Sequence, residues 1–148
     1  MNKTGITDKD LQVLKYFPDL EYLDVRITSI GDEGVEHIKD LKKLNFLNLF
    51  RTKLTDKGLK KLKNLTELDT LLIGGTKISD EGLKHLKKMS KLRKMSVFRT
   101  AVSDAGIKHL KKLNSLEILL IGESEISKTG EIALQKALPK LSFKEQMM

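Results

Sequence analysis

Apolar residues follow two rhythms along this chain, and the pair of rhythms recurs every 24 residues. In the stretch that opens at Leu54, leucines stand three apart at Leu59, Leu62, Leu65 and Leu68, then two apart at Leu71 and Ile73. Spacing by three lays one apolar stripe along a helix. Spacing by two turns alternate side chains of a strand to one face. A short helix followed by a short strand is therefore expected in every repeat. Ile6, Ile30, Leu54, Ile78, Val102 and Ile126 open the repeats. Strands are expected around Leu23, Leu47, Leu71, Met95 and Leu119, with Thr28, Thr52, Thr76, Thr100 and Ser124 closing each one. A fixed period of this length marks a solenoid, in which each coil buries its core only against its neighbours.

The polar positions say where each helix begins. Thr7, Thr55, Ser79 and Ser103 stand where a capping hydroxyl is wanted, and Gly31 replaces it in the second repeat. Asp8, Asp32, Asp56, Asp80 and Asp104 follow at once. Each is expected to serve its own helix N-terminus, where a carboxylate suits the helix dipole. Calcium is the alternative for this column, but it needs 6–8 oxygens converging on one point. Gly34, Gly58, Gly82, Gly106 and Gly130 recur two residues later. Glycine weakens a helix, so a closely approaching neighbour coil is the expected reason.

One strand per coil, all in one direction, gives a parallel sheet on one side and helices on the other, with a right-handed crossover. These residues resemble a leucine-rich repeat, L-x-x-L-x-L-x-x-N/C. The segment I-[ST]-D-x-G-L is similar to the cysteine-containing subclass of F-box receptors, with Thr or Ser where that subclass has Cys or Asn. The Thr form looks like bacterial leucine-rich-repeat proteins of planctomycete type. The resemblance covers residues 5–143 or so, and the ending from Ala133 to Leu141 is similar to a terminal repeat. It implies an α/β right-handed leucine-rich-repeat solenoid, sheet on the concave side and helices on the convex side. It implies partner recognition and no particular partner. No F-box segment is present, so ubiquitin-ligase work has no support.

Length fits one domain, 1–148, of about six repeats with the last as a C-terminal cap. Pro139 breaks the last helix and the register slips by one between Gly130 and Leu138, so Leu141 and Phe143 are expected to close the core there. There is no cysteine, hence no disulfide and no thiolate chemistry. The N-terminus has no apolar signal-peptide core and no distinct polar cap, and no apolar run reaches membrane-span length. A complete chain of this kind is expected in the cytoplasm. An uncapped first coil, or the concave face, is a route to self-association.

The net charge of +8 comes from 28 basic and 20 acidic residues and biases the chain toward acidic partners. Lys42-Lys43, Lys60-Lys61, Lys87-Lys88 and Lys111-Lys112 make a basic convex stripe. It reads first as a solvated helix face; binding of an anionic polymer, nucleic acid or an acidic surface, is the alternative function. No aromatic residues interleave with these lysines, which disfavours nucleic acid. His37, His85 and His109 share a column without further ligands, so no metal, cofactor or catalytic set is expected.

The concave face carries the main reading. Its outward columns are Tyr22, Phe46, Thr70, Lys94, Ile118 and Asp24, Asn48, Leu72, Ser96, Leu120, followed by Arg26, Phe50, Gly74, Phe98, Gly122. Arg51 and Arg99 stand beside the last. Large apolar groups on a wet face, rimmed by charge, mark a binding surface. Phe50-Arg51-Thr52 recurs 48 residues on as Phe98-Arg99-Thr100, with Gly74 on the strand between. Strands ~4.8 Å apart would hold Phe50 and Phe98 ~10 Å apart over a glycine floor. The expectation is a non-enzymatic scaffold that binds a protein or peptide. Its candidate contacts are Tyr22, Arg26, Phe46, Phe50, Arg51, Leu72, Gly74, Lys94, Phe98, Arg99 and Leu120.

Overall fold

The computed structural model describes residues 5–145. Six parallel strands form one sheet in chain order: β1 (Tyr22–Asp24), β2 (Phe46–Asn48), β3 (Thr70–Leu72), β4 (Lys94–Ser96), β5 (Ile118–Leu120) and β6 (Ser142–Lys144). Each strand pairs with the next at a register of one repeat, Leu47 with Leu71 and Leu71 with Met95. The first five are centred where the alternation expects them. Between strands the chain makes short helical segments. They are 3-10 turns at Asp8–Tyr16 and Gly34–His37, then α1 (Asp56–Lys61), α2 (Asp80–Leu83), α3 (Ile107–Leu110) and α4 (Lys128–Ala137).

The core lies between sheet and helices, and its residues are the two rhythms themselves. Ile30, Leu54, Ile78 and Val102 are fully buried, as are Leu62, Leu65, Leu68, Leu71 and Ile73 of the middle coil. Leu141 and the half-buried Phe143 close the far end. The one-residue slip after Gly130 is absorbed before β6. Leu141 and Phe143 are two apart where Leu116 and Leu119 are three apart, so Phe143 still pairs with Leu119.

Helix starts follow from the caps. The side chains of Thr55, Ser79, Ser103 and Ser127 accept from Lys57, Glu81, Ala105 and Gly130 N–H. With Gly31 in place of a hydroxyl, the second coil makes only a four-residue 3-10 turn, which starts at Gly34.

The aspartates act differently from expectation: each serves the next coil, not its own helix. Asp32 accepts from Thr55 N–H at 2.8 Å and from the Thr55 hydroxyl at 2.5 Å. Asp56 does the same for Ser79 at 2.9 and 2.6 Å, Asp80 for Ser103 and Asp104 for Ser127. Asp8 accepts from Gly31 N–H at 2.7 Å. The hydrogen bonds from Ser127 hold the Asp104 carboxyl below its ordinary range. This ladder also explains the glycine column. A Cβ at Gly58, Gly82, Gly106 or Gly130 would overlap the Oδ1 of Asp32, Asp56, Asp80 or Asp104. Close approach is the cause, and the approaching group is a carboxylate.

Threonine closes each of the first four strands. Thr28, Thr52, Thr76 and Thr100 hydroxyls donate to the carbonyls of Val25, Leu49, Ile73 and Val97, three residues back. Three of the four are buried. Thr76→Val keeps the shape and orphans the Ile73 carbonyl, so it is expected to lose about 1–2 kcal/mol in denaturant unfolding. The chain leaves each of the first five strands through a left-handed residue. Gly75 has φ +66°, and Ile27, Arg51, Arg99 and Glu123 take φ of 52–56° despite their side chains. Glycine supplies that conformation without steric cost, and a β-branched residue such as Ile27 adopts it rarely.

Candidate functional site

Strands of three residues end at position 24, 48, 72, 96 or 120, so the outer sheet face divides into two zones. The first two columns belong to the strands. Arg26, Phe50, Gly74, Phe98 and Gly122 lie beyond them, on the turns.

In the turn zone the expected open slot does not exist. Phe50 and Phe98 rings lean together to 6.3 Å between centroids, tilted by 42°. Gly74 is buried beneath them, and a Cβ there would lie 2.9 Å from the Phe98 carbonyl and 3.2 Å from Phe50 Cδ2. The separation expected from two strand spacings is not kept: the Phe50 ring lies against Gly74 and the Phe98 ring against Gly122. Gly74 is thus a seat for the protein's own aromatics, and a large residue there would disrupt packing. The flanking arginines are engaged as well. Arg99 Nε donates to Glu123 at 2.7 Å, and the Arg51 guanidinium lies 5.3 Å from its neighbour Phe50's ring centroid.

The 48-residue alternation has its physical reason here. Where the strand ends in Asp24, Asn48 or Ser96, the side chain accepts from the N–H two residues on, at Arg26, Phe50 and Phe98. Where it ends in Leu72 or Leu120, the residue two on is Gly74 or Gly122. A small polar residue followed by a ring alternates with a large aliphatic followed by none. Rings of one coil fill the gap of the next: Phe98 Cδ2 would lie 3.1 Å from a Cβ at Gly122. In consequence Leu72 and Leu120 are not open apolar groups. They line the sheet-face concavity yet are only 5% and 2% exposed.

In the strand zone the first column stays open at Tyr22 and half-open at Phe46, Lys94 and Ile118. A concavity of about 360 Å³ runs across β1 to β6. Six of the eleven candidate contacts line it: Tyr22, Arg26, Phe46, Leu72, Lys94 and Leu120. Phe50, Arg51, Gly74, Phe98 and Arg99 lie outside it. Tyr22 and Phe46 stack at 4.2 Å with planes 8° apart, and Tyr22 remains 57% exposed. Arg26 is tied to Asp24 at 3.5 Å, whereas Lys94 has no ion pair among the described residues. Asp24, Asn48 and Ile118 also line the concavity; they stand in the outward columns and were legible. Lys144 completes it from β6, a strand that the slipped register hides from the sequence.

The convex lysines do not act as one stripe. Lys42 and Lys43 face Asp40 and Asp19, and Lys61 faces Glu36. His37 lies apart from the other two histidines, and no cluster able to hold a metal exists among the described residues. Among those residues no helix is long and apolar enough to cross a membrane.

A leucine-rich-repeat family model matches residues 18–39 and 40–63, under a third of the chain. No curated protein matches significantly. An internalin from Listeria monocytogenes is similar in structure, with a TM-score of 0.61 and 24% identity over 88% of this chain and 42% of that one. A leucine-rich-repeat protein from Leptospira interrogans gives 0.57 and 19% over 86% of this chain and 37% of that one. The chain therefore spans about two fifths of each structure's length, and at these identities the likeness concerns the fold. A matching family model, two such neighbours and six parallel strands at one repeat's register give this chain the fold of a leucine-rich-repeat solenoid.

Proposed function

We propose that the chain is a binding scaffold that recognises a protein or peptide through the strand zone of its concave face. The supporting observation is the concavity that holds both the Tyr22–Phe46 stack and, two strands from Phe46, Lys94, a lysine with no ion pair among the described residues. A stacked aromatic pair offers a rigid apolar platform at low entropic cost. Lys94 and Lys144, which line the same concavity, favour a carboxylate on the partner. An apolar side chain followed by an acidic residue is the ligand these groups suit. The reading as a Thr-type bacterial repeat of planctomycete kind rests on the 24-residue pattern and adds no partner.

Peptide display on the intact chain tests this directly. The selected peptides are expected to carry an apolar–acidic pair. Phe46→Ala is expected to weaken them about thirtyfold, as a lost aromatic anchor of about 2 kcal/mol. Lys94→Glu should weaken them too, and Lys63→Glu on the convex side should not. Selected peptides indifferent to both Phe46→Ala and Lys94→Glu would overturn the assignment.

A further inference from the structure

Three adjacent coils build a cationic pocket on the convex side. Lys60 and Lys63 come from the coil of α1, His85 and Lys87 from that of α2, and His109 and Lys112 from that of α3. Together they line a concavity of about 520 Å³. Among the described residues no carboxylate lines it. Of its lysines Lys84 alone is in an ion pair, with Glu81 at 2.7 Å; Lys60, Lys63, Lys87, Lys88 and Lys112 have none among the described residues.

The two flanks differ. Toward the N-terminus Lys39, Lys42, Lys43 and Lys61 each face a carboxylate. Toward the C-terminus Lys128 faces Glu131, whereas Lys136 of α4 has no ion pair among the described residues. The cations that converge on this one concavity come from three coils, about 10 Å along the stacking direction at the sheet's spacing. A polymer of phosphates needs a track that continues, and each neutralised phosphate adds to its salt dependence. Here the paired flank stops the track toward the N-terminus, and the concavity gathers its cations at one place. We propose that this pocket binds a compact, multiply charged phosphate: a small molecule bearing three or more phosphate groups within reach of one another.

The two histidines fit that role. Burial lowers the His85 pKa first, then Lys84, Lys60 and Lys63, with Asp56 acting weakly the other way. Burial lowers that of His109 first, then Lys108, Lys112 and Lys84, opposed by Glu81. Both imidazoles are therefore shifted toward the neutral form, first by burial and then by the positive surroundings that attract an anion. A bound polyphosphate reverses that field and draws a proton onto each ring, which adds a donor to the site.

The probe is inorganic triphosphate, titrated calorimetrically into the intact chain at low salt, with the histidine resonances followed by NMR. Triphosphate is expected to bind at least tenfold tighter than inorganic phosphate and to raise the pKa of His85 and His109 while leaving His37 unmoved. Lys63→Glu and Lys87→Glu are each expected to weaken it about tenfold or more, at about one charged hydrogen bond per lysine. Lys42→Glu, on the paired flank, should leave it unchanged. ATP that binds as triphosphate does assigns the phosphates alone; tighter ATP binding assigns a nucleotide. Either supports the pocket. Equal affinity for phosphate and triphosphate would overturn it, as would equal losses at Lys42 and Lys63. Duplex DNA that outcompetes triphosphate and is weakened equally by substitutions along the whole stripe would also overturn it.

Discussion

Leu71→Ala is expected to cost about 3–5 kcal/mol, whereas its neighbour Leu72→Ala costs about 2 kcal/mol, although both side chains are nearly free of solvent. The difference lies in which face each one fills. Leu71 sits at the centre of β3 and belongs to the continuous core, with Leu47 and Met95 fully buried on either side of it. Its removal leaves an enclosed void that two rigid neighbouring coils cannot collapse into, so the cavity adds to the lost transfer energy. Leu72 is outside that core and lines the sheet-face concavity. Its removal deepens a groove that water already reaches, so the loss is the transfer of three carbons at about 0.8 kcal/mol each. Denaturant unfolding of the two variants measures the difference. Equal losses would mean that the two faces are equivalent and that the strand phase is assigned wrongly.

That pair shows where sequence is informative and where it is not. The period fixes which residues of a strand point to the core, because inward and outward alternate by geometry. Leu23, Leu47, Leu71, Met95 and Leu119 follow directly. How exposed an outward residue is depends on its lateral neighbours, one repeat away in sequence and one strand spacing away in space. Leu72 and Leu120 read as open apolar groups, yet the rings at 50 and 98 lean into the places vacated by glycine. The 48-residue alternation was visible; its use as internal packing was not, since a gap between two rings serves equally as a ligand slot or as room for the rings. Likewise the stacked pair Tyr22–Phe46 stands in one outward column, one repeat apart, but a column alone does not say that the rings lie parallel.

The same limit applies on the convex side. A row of lysines in sequence is uniform, and only pairing in three dimensions divides it. Lys42 and Lys43 meet carboxylates, Lys43 across coils, and Lys60, Lys63 and Lys87 do not. Charge counted by residue hides this; charge counted by contact separates a solvated flank from a pocket.

Asp56→Ala is expected to lower stability by about 2–3 kcal/mol and to change the sign of a second substitution. Its two carboxylate oxygens accept from Ser79 N–H and from the Ser79 hydroxyl, and that hydroxyl in turn accepts from Glu81 N–H at the start of α2. Truncation at 56 therefore loosens the junction of two coils and the cap of the next helix together. Gly82 lies against the same carboxylate, and a Cβ there would overlap Asp56 Oδ1. Helix propensity alone makes Gly82→Ala favourable by about 1 kcal/mol. Overpacking against Asp56 opposes it with about 1–3 kcal/mol, so the net effect in the intact ladder is a loss. In the Asp56→Ala background the opposing oxygen is gone, and Gly82→Ala should become neutral or stabilising. Denaturant midpoints of the four chains of this double-mutant cycle give the coupling, expected at about 1–3 kcal/mol. Additive effects would show that the glycine column answers to something other than the aspartates, whereas a sign reversal makes Asp and Gly one device that spaces the coils.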